Sequence, residues 1–285
     1  MRFANVAGRL KLLSGSRSAV DVQTASNGEF PADPSAGFQR WPELVDWARG
    51  VDFATGEVEA VDEEQLDNPV PSPRQIFAIG LNYADHAAES KLSVPDNPPV
   101  FTKFQSSLTG PFGTVVLPAG DVDWEVELVA VIGRRAERVP EEHGWDYIAG
   151  LSVGQDISER RLQLSGPAPQ FSLGKSYPGF GPIGPVLVTP DELPNRDDLE
   201  IGALINGEQV QKGRTSEMVF SVPALVARLS AVTPLLPGDV IFTGTPAGVG
   251  LGRTPQRYLQ PGDELVSYIN GIGQMRHRMV AESGE

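Results

Sequence analysis

Asp123-Trp124-Glu125-Val126-Glu127-Leu128-Val129-Ala130-Val131-Ile132-Gly133 is a largely apolar run in which, after Asp123, two glutamates stand at alternate positions. It reads as the core of a buried strand over residues 122–132. Successive side chains on a strand point to opposite faces, so Glu125 and Glu127 share one face while Trp124, Val126 and Leu128 take the other. Two like charges held side by side are costly unless something positive lies between them. A hard divalent cation is the simplest such partner, because it prefers oxygen ligands. The plain alternative is an edge strand with a wet acidic face, and the apolar run after Glu127 argues against it.

Around this stretch the chain reads as mostly strand. Further strands are expected at 76–79, 100–103, 115–117, 148–157, 185–188, 199–205, 209–211, 240–242 and 264–269. Asn206-Gly207 and Asn270-Gly271 mark two-residue hairpins. Residues 222–232 are apolar at helical spacing and suggest one helix. Few helices and many Pro/Gly turns point to an α+β, mostly β architecture, not an alternating βαβ sheet. Residues 1–68 form a small N-terminal α/β domain, with short strands at 3–6, 10–13 and 20–22 and a helix over 41–49. Residues 69–285 form the main domain, and the acidic, proline-rich stretch 61–73 joins the two.

Composition narrows the function. The 285 residues are 40% apolar and contain no cysteine, which excludes a disulfide framework, a zinc–thiolate site and a thiol nucleophile. A formal net charge of −14 repels nucleic acid, and no basic cluster is seen beyond Arg134, Arg135 and Arg138. The first residues lack the apolar run of a secretory signal, and no stretch of about 18 apolar residues exists, so a cytoplasmic protein without a membrane partner is expected. There are five lysines. Two of them, Lys103 and Lys175, stand in apolar or Gly/Pro-rich surroundings.

Four more motifs suggest chemistry. Asp156 ends an apolar strand, where it is either a helix N-cap or a third carboxylate beside Glu125 and Glu127. Such a set suits Mg²⁺ or Mn²⁺. His86 and Glu89 are one helical turn apart, either an exposed contact or a carboxylate-oriented general base. Lys175, in Gly174-Lys175-Ser176, is either a solvated turn lysine or a cation placed to hold an enolate or oxyanion. Thr243-Gly244-Thr245-Pro246-Ala247-Gly248-Val249-Gly250 lacks the lysine of a P-loop, but its amides and the Thr245 hydroxyl could clasp a carboxylate.

Taken in order, Gly80-Leu81-Asn82-Tyr83-Ala84-Asp85-His86, Glu125-Val126-Glu127, Asp156, Gly174-Lys175-Ser176, Asn206-Gly207-Glu208 and the 243–250 loop resemble the signatures of the fumarylacetoacetate hydrolase family over about residues 70–285. The resemblance implies a mixed β-sandwich roll behind a small N-terminal domain, usually as a homodimer. It places the metal ligands on Glu125, Glu127 and Asp156, the lid dyad on His86 and Glu89, and the catalytic lysine on Lys175. Arg160, Gln163 and Thr245 match pocket-lining positions. The implied substrates are β-diketones and 2-oxo acids, and residues 82–91 are expected to close over them. Hydrolysis of a C–C bond, decarboxylation of an oxaloacetate-like acid, tautomerisation and a catalytically silent metal-binding protein are the readings open. Many acylpyruvase-like members carry Asp where this chain has Arg161, so its pocket wall is expected to differ from theirs.

Overall fold

The computed structural model describes residues 1–15, 18–54, 57–89 and 93–282. Ser90 and Lys91, the end of the expected closing segment, lie outside the described residues. The architecture is mostly β, in mixed sheets that do not close into a barrel. In the twelve-stranded sheet the central strand Val126–Ile132 pairs antiparallel with Ile148–Gln155 on one side and with Val240–Phe242 on the other. Beyond Ile148–Gln155 come Gly181–Val188 and then the N-terminal strands Arg2–Val6, Arg9–Leu13 and Ser18–Asp21. Ile76–Ile79 pairs parallel with Val240–Phe242 and carries Val100–Phe101 at the far edge. A five-stranded sheet runs Glu208–Arg214, Glu200–Ile205, Glu264–Ile269, Gly273–Ala281 and Phe112–Leu117.

The alternation of Val126–Ile132 explains why this strand is buried on both faces. Val126, Leu128, Ala130 and Ile132 join a core with Ile201, Ala203, Leu265 and Met275 of the five-stranded sheet. Val129 and Val131 point the other way, into a core with Phe3, Leu10, Trp41, Leu44 and Leu187. Phe3 also pairs with Leu187 in the ladder, so the N-terminal strands extend the central sheet. Within the stretch read as a linker, Leu66–Asp67 is a short strand on Val6 and Asn5.

The expected helices are present as Trp41–Ala48 and Val222–Ser230. No helix among the described residues is long and apolar enough to cross a membrane. Two expectations need correction. The strand over 122–132 is interrupted: Val122–Asp123 pairs with Ser158–Glu159, and the main ladder begins only at Val126. Side chains replace the ladder at the break, where Trp124 N donates to Asp123 Oδ1 and Glu125 N to Gln155 Oε1, both at 2.8 Å. His277, in charged sequence surroundings, reads as a surface residue but is buried. It occupies an inward position of the alternating strand Gly273–Ala281, and its neighbours Arg276 and Arg278 point outward.

Candidate active site

The break before Val126 positions the first carboxylate. Asp156 N donates to Glu125 O at 2.9 Å, which ties the end of Ile148–Gln155 to the start of Val126–Ile132. Glu125, Glu127 and Asp156 are all buried, and each offers an oxygen within 4.8 Å of the others. Asp156 is not the cap of the following helix. Glu159 does that work, accepting from Arg161 N and Leu162 N.

Three buried cations surround this set. Lys175 Nζ donates to Glu125 Oε2 at 2.8 Å and to Asp156 Oδ2 at 2.7 Å. Lys103 Nζ donates to Asp156 Oδ1 at 2.6 Å and also to the Lys175 carbonyl. Arg160 donates through Nε to Asp123 Oδ2 at 2.8 Å, and through Nη1 to Glu125 Oε1 at 2.7 Å and Gln163 Oε1 at 2.9 Å. Gly174 lets Lys175 reach this position, because a Cβ there would meet the Gln163 backbone nitrogen at 2.6 Å.

Glu127 is the exception. Among the described residues its carboxylate accepts one hydrogen bond, from Gly244 N to Oε2 at 2.7 Å. Burial first, then the neighbouring Asp156 and Glu125, hold its carboxyl well above the usual carboxylate range. Glu125 is buried too, but Lys175 and Arg160 outweigh its desolvation and hold it at about 2. One carboxylate of the set therefore has no cation in direct contact among the described residues, and Lys175 offsets its neighbours only in part. A fourth cation bound by oxygens would supply that contact, so the donor set fits a divalent ion of the Mg²⁺ or Mn²⁺ kind.

The glycine-rich loop clasps carboxylates with its backbone. Its amides hold the chain's own carboxylates: Gly244 N holds Glu127, Gly248 N holds Glu89 Oε2 at 2.9 Å, and Gly250 N holds Asp123 Oδ1 at 2.7 Å. Thr245 Oγ1 donates to Val126 O at 2.8 Å. In helix Ala84–Glu89, His86 Nδ1 lies 2.8 Å from Glu89 Oε1, and the ring is buried, not an exposed helix contact.

A cavity of about 210 Å³ is lined by His86, Glu125, Arg160, Gln163, Lys175 and Thr245 together with apolar side chains. Glu127 and Asp156 lie buried next to Glu125. The structure thus brings all nine residues singled out in the sequence into one region. Sequence reasoning gave no site role to Lys103 or Asp123. The signals were a lysine inside Val100-Phe101-Thr102-Lys103-Phe104 and an aspartate in phase with Glu125 and Glu127. Arg161 is clear of the cavity, paired with Asp121 on the surface at 2.8 Å.

A mixed β roll with a carboxylate cage opening on one cavity defines a class of small-molecule enzyme. The model of the fumarylacetoacetate (FAA) hydrolase C-terminal domain matches residues 75–280. The mitochondrial oxaloacetate tautomerase Fahd2a of Rattus norvegicus is 41% identical over 214 residues, 74% of this chain and 68% of that one. A Mycobacterium smegmatis structure, provisionally called HpcE, superposes with a TM-score of 0.93 at 55% identity, over 99% of this chain and 100% of that one. The maleylpyruvate hydrolase of Sphingobium sp. SYK-6, in complex with manganese(II) and pyruvate, superposes at 0.81 with 28% identity, over 99% and 100%. The chain belongs to the fumarylacetoacetate hydrolase family and is an enzyme of that family.

Proposed function

We propose that the chain is a divalent-cation-dependent hydrolase that cleaves a C–C bond in β-diketone or acylpyruvate-type 2-oxo acids. Glu125, Glu127 and Asp156 would hold the Mg²⁺ or Mn²⁺. The observation that carries this is Glu127, a buried carboxylate with two carboxylates beside it and, among the described residues, no cation in ion-pair contact. The manganese-bound hydrolase relative supports it. An ion held there supplies Lewis-acid polarisation of neighbouring substrate oxygens.

The chain's own groups supply the remaining chemistry. Glu89 fixes His86 through Nδ1, which leaves Nε2 as the base. His86 takes a proton from a water, and the resulting hydroxide attacks the carbonyl distal to the 2-oxo acid. The C–C bond breaks, and its electron pair passes to the 2-oxo acid fragment as an enolate. Lys175, already between Glu125 and Asp156, offers an N–H to the enolate oxygen. Return of the proton from His86 to the enolate carbon gives the 2-oxo acid product.

The rat relative favours a second reading, tautomerisation of oxaloacetate, with decarboxylation close to it. Tautomerisation needs proton transfer alone, and decarboxylation needs no activated water. Assay of wild type and His86→Ala on an acylpyruvate and on oxaloacetate, with and without chelator, separates these readings. The hydrolase reading predicts chelator-sensitive acylpyruvate cleavage that falls about 10²–10⁴-fold in His86→Ala, with decarboxylation of oxaloacetate largely spared. Equal loss of both activities, or no loss of cleavage, contradicts the water-activation role. No turnover of any diketone or acylpyruvate would favour a silent metal-binding protein.

A further inference from the structure

The cavity is polar at its floor and apolar at its mouth. His86, Glu125, Arg160, Gln163, Lys175 and Thr245 are all buried. Most of the rest of the lining is Ile79, Leu81, Phe101, Leu164, Phe171 and Leu251. Of these, Leu81, Phe171 and Leu251 are partly exposed and Leu164 is 45% exposed, which places them at the opening. Phe101 and Phe171 form one wall, with ring centroids 5.6 Å apart edge to face. The mouth is tied to the floor. Leu251 N donates to Asp123 Oδ2 at 2.9 Å, the oxygen that also accepts from Arg160. Leu164 N donates to Arg160 O at 3.1 Å.

No cation is left over for the mouth among the described lining residues. Lys175 is shared between Glu125 and Asp156. Arg160 Nη2 lies 2.7 Å from Asp123 Oδ2, and its single charge faces the two carboxylates of Asp123 and Glu125. A substrate carboxylate at the far end would trade part of its hydration for leucine and phenylalanine side chains, with neither a counter-charge nor a hydrogen-bond donor among the described lining residues. A hydrocarbon group there would bury apolar surface at no such cost.

We propose that the enzyme selects 2-oxo acids whose distal group is an uncharged alkyl chain or aromatic ring, and discriminates against those ending in a second carboxylate. This rests on the reading above that the floor takes the 2-oxo acid. Leu81, Leu164, Phe171 and Leu251 are the specificity-determining side chains, and they act by contact with the distal group.

The test is calorimetric titration of the full chain, loaded with Mn²⁺, with two probes of equal length. These are 7-methyl-2-oxooctanoate and 2-oxoheptanedioate, which share a 2-oxo acid head and end in an isopropyl group or a carboxylate. The apolar probe is expected to bind on the order of 10-fold tighter or more. Leu164→Arg, at a half-exposed position, brings a cation to the mouth and should cut that ratio at least about 5-fold by tightening the dicarboxylate. Leu251→Lys asks the same from another side chain of the rim. Equal or tighter binding of the dicarboxylate by wild type overturns the selectivity while leaving the 2-oxo acid floor standing. A ratio unchanged in both variants overturns the assignment of the mouth. Binding of neither probe overturns both the selectivity and the functional reading beneath it.

Discussion

Buried ionisable groups differ here in what meets them. Asp123 accepts from Arg160 and from the Gly250 and Leu251 amides, so its charge is fully satisfied. His277 is only half satisfied, and protonation would add a buried charge and an unpaired N–H. Its Nε2–H donates to Gly110 O at 3.0 Å, and its Nδ1 has no partner. Burial therefore lowers its pKa from the ordinary 6.5 to about 4, and the Gly110 bond opposes this only partly. Between these values the unfolded chain binds the proton and the folded chain does not. The stability this neutral ring contributes is thus present above pH 6.5 and lost as pH falls toward 4. The expected loss by pH 5 is about 2 kcal/mol. Urea unfolding at pH 8 and pH 5 should show a drop that His277→Leu reduces by that amount. An unchanged difference in the variant would rule out His277 as its source.

At the level of elements, the loop after Val240–Phe242 links helix Ala84–Glu89 to the carboxylate cage. Gly244 N and Gly248 N hold Glu127 and Glu89 respectively. Gly248 has φ +110, and a Cβ there would run into the Val210 carbonyl. Gly248→Ala is therefore expected to cost about 3 kcal/mol and to lower activity by displacing the anchor of Glu89. Gly207, in the Asn206-Gly207 hairpin, has φ +82 and open space around its Cα. Gly207→Ala should cost only about 1 kcal/mol, with activity intact. Equal losses from the two substitutions in denaturant unfolding would contradict this account of the loop. That hairpin, the turn at Asn270-Gly271 and the apolar run 126–132 were legible in the sequence because their signals are local. The break at Trp124 and Glu125 was not, because it depends on Gln155 and on Gln211, whose Oε1 accepts from Val126 N at 3.0 Å. That Glu125, Glu127, Asp156, His86 and Lys175 belong together was legible from the family resemblance that their types and order carry. The task of Lys103 could not, since its partners Asp156 and Lys175 lie 53 and 72 residues away.

On the scale of the whole molecule, the central sheet stands between two cores, and the N-terminal residues supply one of them. Phe3, Leu10, Leu12, Trp41 and Leu44 cover Val129, Val131, Ala149 and Leu187. Removal of residues 1–68 would strip that face and free the edge of Gly181–Val188 that Arg2 and Phe3 occupy. A fragment of residues 69–285 is therefore expected to aggregate when the full chain stays soluble. A soluble fragment with an intact thermal transition would contradict this. The packing serves one centre, where three buried cations leave Glu127 without an ion-pair partner among the described residues. The most direct measurement is titration of Mn²⁺ into chelator-treated wild type and Glu127→Gln, with thermal unfolding of both proteins before metal is added. The account predicts one ion per wild-type chain, binding weakened by more than about 10²-fold in the variant, and a variant that melts higher than wild type without metal. An absence of Mn²⁺ binding by wild type, or equally tight binding by Glu127→Gln, would contradict it.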